Sequence, residues 1–220
     1  MILVKPSFQI LAIMEPQPFA SPLELIELAG RTCYKSEEMI SNDSSKKFVK
    51  GIMKRGHESV IEHSAMTVKF ICDRGVTHEL VRHRLCSFSQ ESQRYVGYKF
   101  GCTFVIPPWV DLVPGEYFFN YDPNQEWNIE QWQWFRAMIF AENTYKCLIE
   151  KWTPQQARSV LPNSTKTEIV VTANFREWKH IFNLRCSKAA HPQMREIMIP
   201  LLKECQKQIP VIFDNITYEE

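Results

Sequence analysis

The sequence has almost no net charge and few glycines. Its 220 residues include 26 Lys and Arg against 25 Asp and Glu, which leaves a net charge of +1. No overall field therefore attracts nucleic acid or an anionic membrane, and any preference for anions must be local. The seven glycines form neither a G-x-G-x-x-G nor a Walker A motif, which excludes the common glycine-rich phosphate loops. A bound nucleotide would have to be held by other groups.

Paired cysteines and long apolar runs are also missing. The seven cysteines are an odd number with no C-x-x-C pair, which argues against a disulfide framework and against a zinc ribbon. We expect most of them to be small buried apolar side chains. No apolar run reaches the ~18 residues that span a bilayer, and the N-terminal segment has neither a basic region nor a cleavage site. The expectation is a soluble, cytoplasmic protein without a membrane partner.

Common catalytic motifs are absent as well. There is no G-x-S-x-G nucleophile elbow, and no cysteine lies in a recognisable activating context. The histidines of HELVRH, His78 and His83, are five residues apart, and His57 and His63 of HESVIEH are six apart. Neither spacing lets two imidazoles bind one metal from a single turn of a helix. We expect no bound metal.

Helical and strand patterns alternate along the chain. Because 45% of the residues are hydrophobic, the chain can bury a sizeable core, and we expect residues 1–220 to form a single α+β domain of mixed helices and sheet. Ser21, Pro22 and Glu24 predict a helix start with a capping box, and Asn174 predicts another N-cap. The other predicted helices cover about 45–55, 77–84, 126–152, 153–161 and from 192 onward, and the predicted strands cover about 64–73, 99–109 and 165–173.

The segment RHRLCSFSQESQRY, residues 82–95, concentrates arginine and hydroxyl groups. Arginine binds phosphate and carbonyl groups bidentately, and serine adds further donors. A solvated polar loop would be the alternative interpretation. The lack of lysine and the neighbouring apolar residues Leu80 and Val81, which place the arginines on a buried element, favour an anion site instead. Its candidate residues are Arg82, His83, Arg84, Ser92 and Arg94.

A second polar group follows on the helix that begins after Asn174. Arg176, His180 and Asn183 recur at i, i+4 and i+7 and therefore share one face, with Arg185 a turn later. An ordinary amphipathic helix with a solvated face is the alternative. Arg158 ends a short predicted helix, where a cation also pairs favourably with the helix C-terminus.

Taken together, these segments resemble the flavin-dependent thymidylate synthase family. Arg82, His83 and Arg84, followed by seven residues and Ser92, match its R-H-R-x7-S signature. Over about residues 25–200 the chain also resembles the family's other segments in the same order. These are AGRTCYKS, GHESVIEH, ARSVLPNST and TANFREWKHIFNLRCSKAAHPQMREI.

The resemblance implies the conversion of dUMP to dTMP for de novo dTMP biosynthesis. 5,10-Methylenetetrahydrofolate would be the carbon donor, FAD the hydride carrier and NADPH the reductant, with no enzyme cysteine as nucleophile. It also implies a homotetramer whose active sites are shared between subunits. Catalysis would then rest on orientation and electrostatics, while the flavin carries the redox chemistry.

The resemblance also implies roles for individual residues. Ser92 and Arg185 would be catalytic, with Arg185 polarising and orienting the uracil. The implied dUMP-binding residues are Glu79, Arg82, Glu91, Ser92, Gln93, Arg94, Arg158 and Arg185. The implied FAD-binding residues are His57, Ser59, Arg82, His83, Arg84, Gln90, Asn174, Arg176 and His180. The sequence departs from the family at Glu79, where some members have glutamine, and at Gln90, where many have glutamate.

Two other classes of function remain open on the residues alone. A nucleic-acid-binding module would use the same arginines and aromatic rings on phosphates and bases, although the near-neutral chain argues against it. A flavoprotein sensor on the same scaffold would bind FAD without turnover. A flavin spectrum excludes the first, and tritium release from 5-tritiated dUMP separates the enzyme from the second.

Overall fold

The computed structural model describes residues 1–118 and 126–219. The chain forms two compact units, which we call the first unit and the second unit. The first unit comprises Met1–Ser7, Phe70–Arg82 and Ser89–Ile169, and the second comprises Phe8–Lys69, His83–Phe88 and Val170–Glu220.

Seven strands and seven α-helices make up the described part of the chain. The strands are β1 (Ile2–Val4), β2 (Ser7–Ile13), β3 (Ala65–Asp73), β4 (Ser87–Gln90), β5 (Thr103–Val105), β6 (Gly115–Glu116) and β7 (Lys166–Asn174). The helices are α1 (Pro22–Tyr34), α2 (Ser44–Lys54), α3 (Arg74–Leu80), α4 (Ile129–Ile149), α5 (Pro154–Ala157), α6 (Phe175–Arg185) and α7 (Pro192–Gln208). Short 3-10 turns cover Glu37–Met39, Glu58–His63 and Arg158–Val160. The predicted mixture of helix and sheet is confirmed.

The strands form two sheets. One has the order β2-β3-β7-β4, and the other has the order β5-β1-β6, with β1 parallel to β5 and antiparallel to β6. Buried and partly exposed residues alternate along β3 and β7, as expected for strands that bury one face more than the other. The hydroxyl groups of Thr67 and Thr172 link these two strands at 2.9 Å.

Helix α6 of the second unit is held by its apolar face. Trp178 and Phe182 are fully buried, and the Trp178 indole donates a hydrogen bond to the carbonyl of Met66 at 3.0 Å. The Phe182 ring packs edge-on against Phe213 at 5.4 Å between centroids. Because these contacts fix the rotation of α6, they also fix the direction of its polar face.

The predicted caps have different outcomes. Asn174 caps α6 as predicted, since its Oδ1 accepts the Glu177 backbone N–H at 2.9 Å. Ser21 stands at the N-cap of α1, but its side chain caps no backbone N–H. Its hydroxyl instead donates to Glu24 at 3.4 Å, and Glu24 accepts the Ala20 N–H at 3.0 Å. The helix begins where it was predicted, but the predicted reciprocal capping box is wrong in both halves, since Glu24 accepts from Ala20 rather than from the N-cap Ser21.

The helix predicted to continue through residue 84 ends at Leu80. Residues 81–86 form turns and a bend, and β4 follows at Ser87–Gln90. The prediction that Arg82 and Arg84 lie on a helix is therefore wrong. The physical reason is tertiary, because strand β4 begins at Ser87 and pairs with β7, so the chain has to leave the helix before that point.

The first unit has its own apolar core around α4. Phe135, Met138 and Ile139 of this helix pack with Leu3 of β1 and Phe104 of β5. The capping box of α4 is complete, since Asn128 and Gln131 exchange side-chain and backbone hydrogen bonds at 2.8 Å each.

Candidate active site

His83 is the buried centre of a polar cluster in the second unit. Its Nε2 accepts a hydrogen bond from Arg185 Nε at 3.0 Å, and its Nδ1 lies 3.4 Å from Glu177 Oε1. The His180 ring stands edge-on to it, with centroids 5.6 Å apart. The structure thus brings together the signature histidine and three residues of α6.

Burial and the neighbouring cation keep His83 neutral. Removal of the imidazole from water, followed by the nearby charges of Arg185 and His180, lowers its pKa to about 4. Because Nε2 accepts from Arg185, the single ring proton lies on Nδ1, which faces Glu177. Burial also raises the pKa of the Glu177 carboxyl.

The donor atoms of His83, Glu177 and His180 lie within 4.8 Å of one another. Two imidazoles and a carboxylate are a ligand set that zinc accepts. A metal on His83 Nδ1 would, however, leave the ring proton on Nε2, where it would meet the N–H of Arg185. The donor set does not fit a metal while this hydrogen bond exists, and the absence of a metal stays a prediction.

A cavity of about 770 Å³ opens beside this cluster. The predicted polar stripe of α6 lines it, with Arg176, His180 and Asn183 on the wall. Arg176 forms an ion pair with Glu62, so part of the local charge is already balanced. The remaining lining residues are Glu58, Leu85, Asn174, Glu177 and Lys179.

The other second-unit candidates are exposed. His57 and Ser59 lie at the 3-10 turn that precedes β3, and Arg84 lies in the turn after His83. The His57 Nδ1 is 3.3 Å from the hydroxyl of Tyr34 at the end of α1. This contact joins the AGRTCYKS and GHESVIEH segments.

The second half of the signature belongs to the first unit. Ser92 Oγ accepts the Arg94 backbone N–H at 3.3 Å, which closes a tight turn. Gln93 is 9% exposed, whereas Arg94 is exposed and its guanidinium stacks over the Tyr95 ring at 5.5 Å. The Ser92–Arg94 turn therefore presents a cation to solvent from an ordered backbone.

Glu91 anchors that turn. Its carboxylate accepts hydrogen bonds from the Tyr98 hydroxyl at 2.7 Å and from Lys166 Nζ at 3.0 Å, and its backbone N–H donates to the carbonyl of Glu168 at 2.8 Å. Burial alone would lower the pKa of Lys166, but its hydrogen bonds to Glu168 and Glu91 raise it instead. The carboxylate of Glu91 therefore already has two hydrogen-bond partners within the protein. Its predicted contact with dUMP stays a prediction.

The remaining first-unit candidates fall into three places. The Gln90 amide donates hydrogen bonds to the hydroxyl of Thr77 on α3 at 2.9 Å and to that of Thr167 on β7 at 3.3 Å. Glu79 and Arg82 lie at the end of α3, and Arg158 begins a 3-10 turn and is exposed. Glu79, Arg82, Gln90–Arg94 and Arg158 therefore belong to the first unit, and the other candidates belong to the second.

Glu177, Tyr98 and Lys166 were not among the predicted site residues. Glu177 is recognisable in the sequence as an acid three residues after the N-cap Asn174. An acid at that position is typical of a capping box and indicates no other role. Its side chain is 7% exposed and faces His83. The partners of Glu91 are seven and 75 residues away along the chain, and no spacing rule predicts the second.

The cysteines are free thiols, as predicted from their number and spacing. Cys72, Cys102, Cys186 and Cys205 are buried, while Cys33 and Cys147 are exposed. Burial, followed by the nearby charge of Glu177, raises the pKa of Cys86 to about 12. A thiol of this kind is protonated near neutral pH and is a poor nucleophile.

No helix in residues 1–118 or 126–219 is both long and apolar enough to cross a membrane.

The family model described as "Thymidylate synthase complementing protein" matches residues 17–211. The chain belongs to the flavin-dependent thymidylate synthase family. The family predicted from the R-H-R-x7-S signature is confirmed, and with it the prediction of a flavin-dependent thymidylate synthase.

Curated relatives carry the same family name. The flavin-dependent thymidylate synthase of Corynebacterium diphtheriae is 34% identical over 199 residues, which cover 87% of this chain and 77% of the relative. That of Geobacter sulfurreducens is 34% identical over 211 residues, covering 92% and 84%.

Solved structures share the fold. Thymidylate synthase X from Helicobacter pylori, solved with FAD and dUMP, has a TM-score of 0.72 at 19% identity and covers 96% of this chain and 100% of its own. The UMP/dUMP methylase PolB from Streptomyces cacaoi, bound with 5-Br dUMP, has a TM-score of 0.75 at 24% identity and covers 97% and 96%.

Proposed function

We propose that this flavin-dependent thymidylate synthase converts dUMP to dTMP, with 5,10-methylenetetrahydrofolate as carbon donor and NADPH as reductant. The observation that carries the proposal is the buried, neutral His83 bonded to Arg185. This hydrogen bond orients the guanidinium of Arg185 at the end of α6, the helix whose polar face lines the cavity, in a family whose relatives are named for this reaction. An ordered guanidinium suits a planar carbonyl ligand such as uracil.

The second unit supplies groups that suit FAD. A cavity of about 770 Å³ is within the usual size range of small-molecule sites. Arg176 and His180 line it and offer polar donors, and His57, Ser59, His83, Arg84 and Asn174 are the other proposed contacts within this unit. FAD, when bound, supplies hydride chemistry that no side chain of the protein can provide.

The first unit supplies groups that suit the phosphate of dUMP. Arg94 and Arg158 are exposed guanidiniums, and the Ser92 hydroxyl lies in the ordered turn that Glu91 anchors. Charge-assisted hydrogen bonds from such groups bind phosphate strongly. Glu79, Arg82, Glu91 and Gln93 complete the proposed dUMP set. Arg82 serves both ligands, and Gln90 is a proposed contact of FAD.

The proposed chemistry assigns orientation and charge to the chain itself. Arg185 polarises the uracil, because a guanidinium donating to a carbonyl stabilises negative charge on that oxygen. Ser92 helps to orient the nucleotide. No cysteine attacks the base, in agreement with the raised pKa of Cys86 and the burial of most other thiols.

We further propose that residues 1–220 work as one domain in a cytoplasmic homotetramer. The family resemblance implies active sites shared between subunits, and the chain's +1 net charge gives no general attraction to nucleic acid or membrane.

The experiment that tests the function measures tritium release from 5-tritiated dUMP on addition of the folate and NADPH. We expect release with wild-type enzyme and a yellow preparation with a flavin spectrum. Arg185→Ala should keep the flavin but weaken dUMP binding by roughly tenfold or more, because a buried carbonyl loses a charged partner. Arg55→Ala, at an exposed arginine after α2, is the matched control. Unchanged kinetics in Arg185→Ala would overturn this role.

A further inference from the structure

Three side chains of the second unit form a continuous line of contacts. Glu177 Oε1 lies 3.4 Å from His83 Nδ1, and Arg185 Nε donates to His83 Nε2 at 3.0 Å. Glu177 and His83 are 6% and 4% exposed. A buried imidazole thus joins a carboxylate to the guanidinium at the end of α6.

The position of the single ring proton of His83 decides which ring nitrogen donates and which accepts. A neutral imidazole carries it on Nδ1 or on Nε2, and the hydrogen bond at one nitrogen decides which form exists. With the proton on Nδ1, the ring donates to Glu177 and Nε2 accepts from Arg185. With the proton on Nε2, two N–H groups would face each other across 3.0 Å, and the guanidinium would lose its hydrogen bond to His83.

Glu177 is placed for this role rather than for capping or surface pairing. Asn174 already satisfies the Glu177 backbone N–H at 2.9 Å. The neighbouring acids of the same cavity, Glu58 and Glu62, pair with Lys179 and Arg176, whereas the Glu177 carboxylate lies against a histidine. Burying a carboxylate costs free energy because the group loses its contact with water. The contact with His83 has to offset that cost.

We propose that Glu177 is a positioning residue, which fixes the ring proton of His83 on Nδ1 so that Nε2 can hold the guanidinium of Arg185. The effect on dUMP rests on the proposed contact of Arg185 with the uracil. Glu177 itself touches neither ligand in this proposal, and it acts through its 3.4 Å contact with His83 Nδ1 and then through the hydrogen bond that Arg185 donates to His83.

The first test is nitrogen NMR of the flavin-loaded enzyme labelled with ¹⁵N-histidine, with the His83 signals assigned from a His83→Asn sample. We expect a protonated Nδ1 and an unprotonated Nε2 in the wild-type protein. A ring protonated on Nε2 in the wild-type enzyme overturns the proposal without the use of any Glu177 variant. No substrate is present, so this result does not depend on the proposed function.

The second test compares Glu177→Leu, which removes the acceptor, with Glu177→Gln, which retains an oxygen acceptor. We expect Glu177→Leu to move the proton to Nε2 and to raise KM for dUMP about tenfold at unchanged flavin content. Glu177→Gln should keep the wild-type tautomer and should leave KM within about twofold. Glu204→Gln, at a half-exposed acid on α7 that pairs with Lys207, is the control for loss of a carboxylate. If Glu177 had only a structural role, both Glu177 variants would raise KM for dUMP to the same extent.

Two outcomes of the second test overturn the proposal. They are an unchanged tautomer in Glu177→Leu, and a changed tautomer without any change in KM while Arg185→Ala still weakens dUMP binding. Failure of Arg185→Ala to alter dUMP binding would instead overturn the role given to Arg185 under the proposed function. If Glu177→Leu does not fold, Glu177→Ala takes its place.

Discussion

The neutral state of His83 makes stability depend on pH. Its pKa falls from 6.5 to about 4 on folding, through burial first and then through Arg185 and His180. The native state therefore binds this proton less readily than the unfolded state does, and stability is lost as the pH falls from about 6.5 toward about 4. A shift of this size corresponds to about 3 kcal/mol in full, and about 2 kcal/mol of it is lost by about pH 5.

Urea unfolding of wild-type enzyme and His83→Asn at about pH 7.5 and about pH 5 measures this loss. Wild type should lose about 2 kcal/mol more than the variant between the two conditions, because asparagine does not titrate. The raised pKa of Glu177 acts in the opposite direction, but the same carboxyl is present in both proteins. His78→Asn, at an exposed histidine of α3, controls for the removal of any histidine.

The experiment can refute both the direction of the change in stability with pH and its assignment to His83. Equal losses in wild type and His83→Asn would show that His83 is protonated as easily in the native state as in the unfolded chain. A larger loss in the variant would reverse the sign, and would mean that the folded protein favours the imidazolium. Either result would remove the basis for treating Nε2 as an acceptor for Arg185.

Three further predictions concern packing, thiol chemistry and the Ser92 turn. Gly30→Ala should destabilise the protein by about 1–3 kcal/mol in urea unfolding, because the new methyl would lie 2.6 Å from the Phe48 ring. Gly51→Ala, where the nearest such atom is 3.9 Å away, should instead stabilise α2 by about 0.5–1 kcal/mol, and equal effects would contradict the reasoning. Cys86→Ser should retain most tritium-release activity, and abolition with folding preserved would contradict the absence of a thiol nucleophile. Glu91→Gln should weaken dUMP binding a few-fold at unchanged flavin content, as measured by substrate titration, and loss of flavin instead would contradict its assignment to dUMP.

The long regular elements could be predicted because their patterns are local. Strands β3 and β7 alternate between buried and partly exposed residues over nine positions each, and α6 begins at a side chain that caps it. Strands β1, β4 and β6 contain only two to four residues, too few for a periodic signal. They exist because neighbouring strands pair with them.

The candidate residues could be named from the sequence, but the contacts between them could not. The signature contains His83 and the end of α6 contains Arg185, yet the hydrogen bond between them joins residues 102 positions apart. The predicted helix through residue 84 gives way to turns because strand β4 begins at Ser87 and pairs with β7. Tertiary pairing here overrides local helix preference.

The near-neutral composition also has a structural explanation at the site. Arg176 pairs with Glu62, Lys179 with Glu58, and Lys166 with Glu91 and Glu168, so several cations near the candidate residues are balanced within each unit. His83 adds no charge to the signature, because its pKa is held at about 4. Arg84, Arg94 and Arg158 remain exposed, and exposed guanidiniums can bind anionic ligands without first leaving a buried partner. Within each unit, the exposed guanidiniums, rather than the total number of positive charges, are therefore the groups available to an anionic ligand.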